Sequence, residues 1–230
     1  MIGAGPPYVT LMASLPALGP LLAAQAPAIN ANRLQRRLRL LLPEDRAQIE
    51  ALRRLLAWNA LDLREADASF IARAGRTLAG LANERLRRAA RDRLEIRTAV
   101  AALRRRHAGE AAPPPGEAWG FGRFVATIRA NWSVPDFTLG TALPWLGPAR
   151  ERLEAGDRRG LEQIILTAAW AAGNRHLAGH DFDLEAVALY LLRWSLVERW
   201  SRYDADGASI RFAELLDQAL ATAPAGWTDS

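Results

Sequence analysis

Residues 184–200 are apolar on every side of a helix, and that segment limits the folds open to this chain. Leu184, Val187, Leu189, Tyr190, Leu191, Leu192, Trp194, Leu196, Val197 and Trp200 leave no continuous polar face. Such a helix is stable only when other elements surround it, so it belongs at the centre of a bundle. Asp183, just before it, is a suitable N-cap. A chain of 230 residues can surround it, because folding at this size buries roughly 70–75 % of the unfolded surface.

The rest of the chain also carries helical spacing, and no period-two strand pattern follows residue 16. Leu34, Leu38, Leu41 and Leu42 recur across 30–42. Pro43-Glu44-Asp45 reads as a helix start, since proline suits the first turn and acids suit the positive end of the helix dipole. That helix runs to about Asn59. Residues 66–107 read as one long helix or two collinear ones, broken near Gly75 or Gly80. Their narrow apolar stripe (Leu78, Ala82, Leu86, Ala89, Ile96, Val100, Leu103) on an arginine-rich rod predicts a helical hairpin or projecting arm. Further helices are expected at about 118–131, 148–156, 158–178, 183–202 and 209–221, with Asp204, Asp206 and Gly207 forming a turn before the last. The fold class is therefore all-α.

Ala111-Ala112-Pro113-Pro114-Pro115-Gly116 cannot be helical and reads as a linker. It predicts a basic helical arm with the N-terminal segment over 1–110 and an aromatic-rich bundle over 117–230, or one continuous domain. Trp119, Trp132, Trp145, Trp170, Trp194, Trp200 and Trp227 all follow it; only Trp58 precedes it.

Charge changes sign at the same place. Residues 33–106 hold 19 Arg against 9 acids, and 107–230 hold 11 Arg against 16. Lysine is absent, as expected of a GC-rich genome. A chain polarised in this way favours oriented docking to a charged partner, or partial neutralisation of one half by the other. The prominent basic cluster is Arg85, Arg87, Arg88, Arg91, Arg104, Arg105 and Arg106. No aromatic residue falls between Phe70 and Trp119, so no base-stacking platform accompanies this charge, and a solvated or protein-docking face is favoured over nucleic acid or anionic lipid.

The first 32 residues carry no charged side chain. Two readings compete: a cleaved secretory signal, or a retained and buried opening. A signal needs a positive region before its apolar core, yet the first positive side chain is Arg33, and Pro16 and Pro20 interrupt the apolar run. Ala23-Ala24-Gln25-Ala26 does resemble a cleavage site. The balance predicts a retained strand or short helix over 8–15, a short extended N-terminal segment in the overall fold. It would end at Pro16 and pack on the 183–202 helix. No apolar run is long enough for a membrane-spanning helix.

Catalytic patterns are weak. With no cysteine, thiolate metal sites and thiol catalysis are excluded. Gly3-Ala4-Gly5-Pro6-Pro7 lacks the Lys-Ser/Thr ending of a phosphate loop. There is no Gly-x-Ser-x-Gly elbow. His176 and His180 are four apart, with Asp181 and Asp183 nearby, and such a set can bind a metal. Gly179 between them favours the alternative, a helix C-terminus where histidine suits the dipole. No cofactor, metal or catalytic group is expected.

Two blocks resemble a bacterial family encoded among the subunit genes of V/A-type rotary ATPases. The first is Tyr8-Val9-Thr10-Leu11-Met12-Ala13-Ser14-Leu15-Pro16, similar to that family's Tyr-x-x-Leu-x-Ala-Ser-Leu-Pro opening; Tyr8, Leu11, Ser14, Leu15 and Pro16 carry the likeness. The second is 182–200 with its continuation to Gly207 and Phe212, where Tyr190, Glu198, Arg199, Trp200 and Gly207 match the closing helix and the turn after it. The resemblance implies a non-catalytic subunit similar to the C subunit, or an accessory factor. It would link the central stalk to the membrane rotor ring or aid assembly, from the cytoplasmic side of the inner membrane. Its partners would be other ATPase subunits. The alternative is a basic helical nucleic-acid-binding protein.

Overall fold

A computed structural model describes residues 6–23, 26–56 and 67–222, with side chains described as far as Tyr203. Every regular element in it is helical. The expected end of the third helix at Asn59, the Gly3–Gly5 stretch, Ala24-Gln25 and Trp227 lie outside the described residues.

Helix α1 (Pro6–Ser14) begins on two prolines, which suit a first turn, and stops before Pro16. The opening is thus a helix, not an extended segment: Tyr8 and Leu11 lie three apart and both face inward, which a strand would not permit. Helix α2 (Ala31–Arg37) is capped by Asn30, whose side chain accepts from the Arg33 amide at 2.9 Å. It tightens into a 3-10 turn (Leu38–Leu40), and α3 (Pro43–Leu56) follows.

Helices α4 (Asp67–Gly80) and α5 (Glu84–His107) are separated at Leu81-Ala82-Asn83. Asn83 starts α5 by accepting from the Arg85 and Leu86 amides, both at 3.0 Å. The two helices run antiparallel: Arg105 near the end of α5 bonds Asp67 at the start of α4 at 3.0 Å, and the Arg97 guanidinium lies over the Phe70 ring. Helix α5 is not a projecting arm. From Arg93 to Leu103 it is buried on nearly all sides, and it packs on α3, α4 and the later helices. A sequence reading fails here because alanines and a threonine (Ala89, Ala90, Thr98, Ala99, Ala102) let other helices approach closely, widening the narrow leucine stripe.

After the prolines, only Val125–Ala130 (α6) is helical in the 118–131 stretch. Gly120 and Gly122 hold positive φ and press their backbone against Thr98 and Glu95, where no Cβ fits. Helices α7 (Leu146–Glu154), α8 (Arg158–Leu177) and α9 (Leu184–Thr222) complete the chain. Helix α9 is continuous through Asp204, Asp206 and Gly207, so the expected turn is absent. One glycine costs a helix only about 1 kcal/mol, and no proline interrupts 184–222.

The core has two halves, and neither respects the proline stretch. One half joins α1–α4 to Leu86–Leu94 of α5 and Leu184–Trp194 of α9. The other joins Ile96–Leu103 of α5 and Leu196–Trp200 of α9 to Trp119, Phe137, α7 and α8. Helices α5 and α9 therefore thread both halves. Residues 111–116 are a mostly exposed connection anchored by buried Pro113. They follow a Schellman end to α5, in which Gly109 and Glu110 amides return to Arg106 and Arg105.

Candidate functional site

The two distant motif blocks meet. Tyr190 on α9 donates its hydroxyl to the Pro16 carbonyl at 2.9 Å, across 174 positions of chain. Trp194 donates to Ile29 O at 2.7 Å and Trp200 to Leu22 O at 3.1 Å. Three aromatic side chains along α9 thus hold the irregular segment after α1 by its backbone. Such bonds are worth about 1 kcal/mol each, more where burial would leave a carbonyl unpaired. Leu11 is fully buried, and Leu15 packs on the same core half, while Ser14 turns its hydroxyl back to Leu11 O. Burial raises the Tyr190 hydroxyl pKa to about 12.

A polar cluster closes the other end of this contact. The Tyr8 hydroxyl donates to Asp45, a carboxylate only 5 % exposed. Burial raises the Tyr8 pKa first, and the Asp45 carboxylate raises it further. Gln48 accepts from the Asn83 amide at 3.2 Å, and Asn83 Nδ2 donates to Glu185 at 3.1 Å. Asp183 fulfils its expected capping role, accepting from the Ala186 amide at 2.9 Å, and also bonds His180. The His180, Asp183 and Glu185 ligand atoms lie within 4.8 Å of one another. The Arg85 guanidinium, however, sits on His180 Nε2. Each carboxylate already serves a helix end, so the group acts as a clasp joining α1, α3, α5 and α9.

The paired histidines do not share a helix. Helix α8 stops at Leu177, and Gly179 turns the chain with φ +85°. His176 instead bonds Asp92 at 3.0 Å, alongside Arg175 at 2.8 Å. Asp92, Glu95, Arg123 and Arg175 border a groove of about 650 Å³ between α5, α7 and α8. Its charges are paired with one another: buried Glu95 accepts from both the amide and the guanidinium of Arg123. The hydroxyls of Ser14, Ser195 and Ser201 donate to carbonyls of their own helices.

The seven arginines expected to dock a partner separate into two groups. Arg85, Arg88 and Arg91 are exposed near the start of α5, with Arg87 half-buried beside them. Arg87 and Arg88 both pair with Glu84. Arg104 is exposed about 24 Å further along, at 1.5 Å per residue from Arg88. Arg105 is engaged by Asp67. Arg106 is internal in role: it donates to the Val134 and Pro135 carbonyls and stacks on Phe137. The buried middle of α5 lies between the groups, so they cannot form one face. Of the closing block, Glu198 pairs with Arg202, Arg199 pairs with buried Glu162, and Trp200 is buried; Gly207 is inside α9. The buried acids Asp45, Glu95 and Glu162 were not legible as site residues, because nothing local distinguishes them from surface acids.

These contacts define an all-α protein whose polar clusters hold helices together. No helix among the described residues is long and apolar enough to cross a membrane. No family model matches the chain, and no curated protein or solved structure matches it either.

Proposed function

We propose that the chain is a non-catalytic helical component of a V/A-type rotary ATPase, a C-like or accessory subunit linking stalk to rotor ring or aiding assembly. The observation that carries this reading is the packing of Tyr8–Pro16 on Tyr190–Trp200, sealed by the Tyr190–Pro16 bond. The two blocks that resemble the ATPase-associated family are thus one structural unit in this chain, as parts of a shared fold signature would be. The continuous α9 and central α5 supply a stiff body suited to transmitting force between partners. The titratable clusters are engaged in internal clasps, which suits an adaptor. Peripheral association with the cytoplasmic face of the membrane would follow from membership of the complex.

Within this reading, Arg85, Arg88 and Arg91 are the docking residues, because they are exposed on one end of α5. A tagged chain should retain stalk subunits in a pull-down. The triple Arg→Glu variant should lose most of that recovery while keeping the wild-type helical signal by circular dichroism. Undiminished recovery removes the docking assignment, and failure of the unmodified chain to retain any ATPase subunit removes the function. Binding to RNA or DNA that falls steeply with salt would instead favour the nucleic-acid alternative.

A further inference from the structure

The first 43 residues contain no aspartate or glutamate, and the element that ends this stretch is both basic and greasy on its outer side. In α2 and the 3-10 turn, Leu34 and Leu38 face the core, as does Leu41 just after. Arg33, Arg36, Arg37 and Leu40 follow the i, i+3, i+4, i+7 spacing of a single stripe, and all four are exposed. The 3-10 turn preserves the alignment, since residues three apart eclipse in it. Arg39 and Leu42 are exposed beside this stripe. Leu40 and Leu42, 45 % and 47 % exposed, are among the most exposed large apolar side chains described. Helix α1, which packs against the 3-10 turn, adds Val9 at 45 %.

Arg33, Arg36 and Arg39 have no acidic partner among the described residues, and Arg37 uses one nitrogen to hold Ser14 O at 2.6 Å. The first acids are Glu44 and Asp45; Asp45 is turned inward to Tyr8, leaving Glu44 exposed. This face therefore differs from the N-terminal part of α5, where Glu84 neutralises Arg87 and Arg88.

We propose that the α2–3-10 face is a docking surface for an anionic lipid bilayer. Arginines would lie among the acidic headgroups, while Leu40 and Leu42 enter the interfacial layer. Unpaired positive charge interleaved with exposed aliphatic side chains on a short amphipathic element is what such a surface selects. The face carries no aromatic residue on which a base could stack, which disfavours single-stranded nucleic acid. The inference is independent of the ATPase reading, because lipid binding by the isolated chain can fail while subunit co-purification stands, and the reverse.

The test is co-sedimentation of the full chain with phosphatidylcholine vesicles, with and without phosphatidylglycerol. Binding should require phosphatidylglycerol and weaken with salt, as expected of exposed charge. Arg36→Gln with Arg39→Gln should lower the partition coefficient at least tenfold, from about fivefold for each arginine. Leu40→Ser with Leu42→Ser, at unchanged charge, should also lower it several-fold. All four sites are exposed, so the variants should keep the wild-type circular dichroism. As a control, Arg76→Gln with Arg158→Gln, both exposed, makes the same charge change elsewhere and should have little effect. Three results would each overturn the proposal: equal binding to both vesicle types, no response to the leucine changes, or a control that weakens binding as much as Arg36 and Arg39 do.

Discussion

Tyr8 and Asp45 show how much of this fold rests on single polar contacts. Asp45 is nearly fully buried, and its main partner is the Tyr8 hydroxyl, with Gln48 at 3.5 Å as a long second contact. Tyr8→Phe should destabilise the chain by about 1–3 kcal/mol, the cost of leaving a buried polar group unsatisfied, measured as a shift in urea midpoint. The pair also sets a pH response. Both Tyr8 and Tyr190 have folded-state pKa values raised above 10, so they favour the folded state at neutral pH. Above pH 10 the unfolded chain loses tyrosine protons that the folded chain keeps, so stability should fall as pH rises, through about pH 12 for Tyr190. Tyrosinate absorbance from these two residues should accompany unfolding. Tyr8 was legible in the sequence as part of a motif with a buried fate. Its partner was not, because Asp45 read as an ordinary first-turn acid and only the tertiary fold turns it inward.

At the scale of elements, α9 and α5 depart from their sequence patterns for opposite reasons. The expected break at Gly207 gave the glycine too much weight against a proline-free run of helix formers. The prediction is specific: Gly207→Ala should stabilise by about 0.5–1 kcal/mol in a continuous helix, but destabilise if the site is a turn with positive φ. Thermal melts distinguish the two. In α5 the error lay in reading arginine density as exposure. Alanines and Thr98 open its middle to neighbouring elements, and the 119–123 loop is clasped there by Thr98 and Glu95. Gly122→Ala should be among the more damaging small substitutions, with a loss of about 2 kcal/mol or more. It must combine φ +103° with a Cβ that collides with Glu95. The all-α class, the α8 boundaries, the Asp183 cap and the central 184–200 helix were legible, because each has a local signal in periodicity or capping.

For the whole molecule, the composition at 111–116 allows either two parts or one continuous domain, and both core halves draw on residues from each side of it. The two core halves share α5 and α9, so the chain should unfold in one cooperative transition seen equally by tryptophan fluorescence and circular dichroism. Two separated transitions would restore the two-domain division. The pairing of the distant motif blocks joins residues 174 positions apart, so the chain between them must fold correctly. That is why their contact could be expected from their apolar character but its hydrogen bonds could not be named. The charge asymmetry along the chain does not survive as one basic arm: folding separates it into the start of α5, the end of α5 and the α2 face.

The proposed role in a rotary ATPase is tested most directly by isolating the tagged chain from its native membranes and identifying what elutes with it by mass spectrometry. The account predicts stalk and nucleotide-binding subunits of a V/A-type ATPase in constant ratio to the tagged chain, and their loss with the Arg85, Arg88 and Arg91 charge reversals. Elution of the chain without any ATPase subunit, from membranes that contain the intact enzyme, would contradict it.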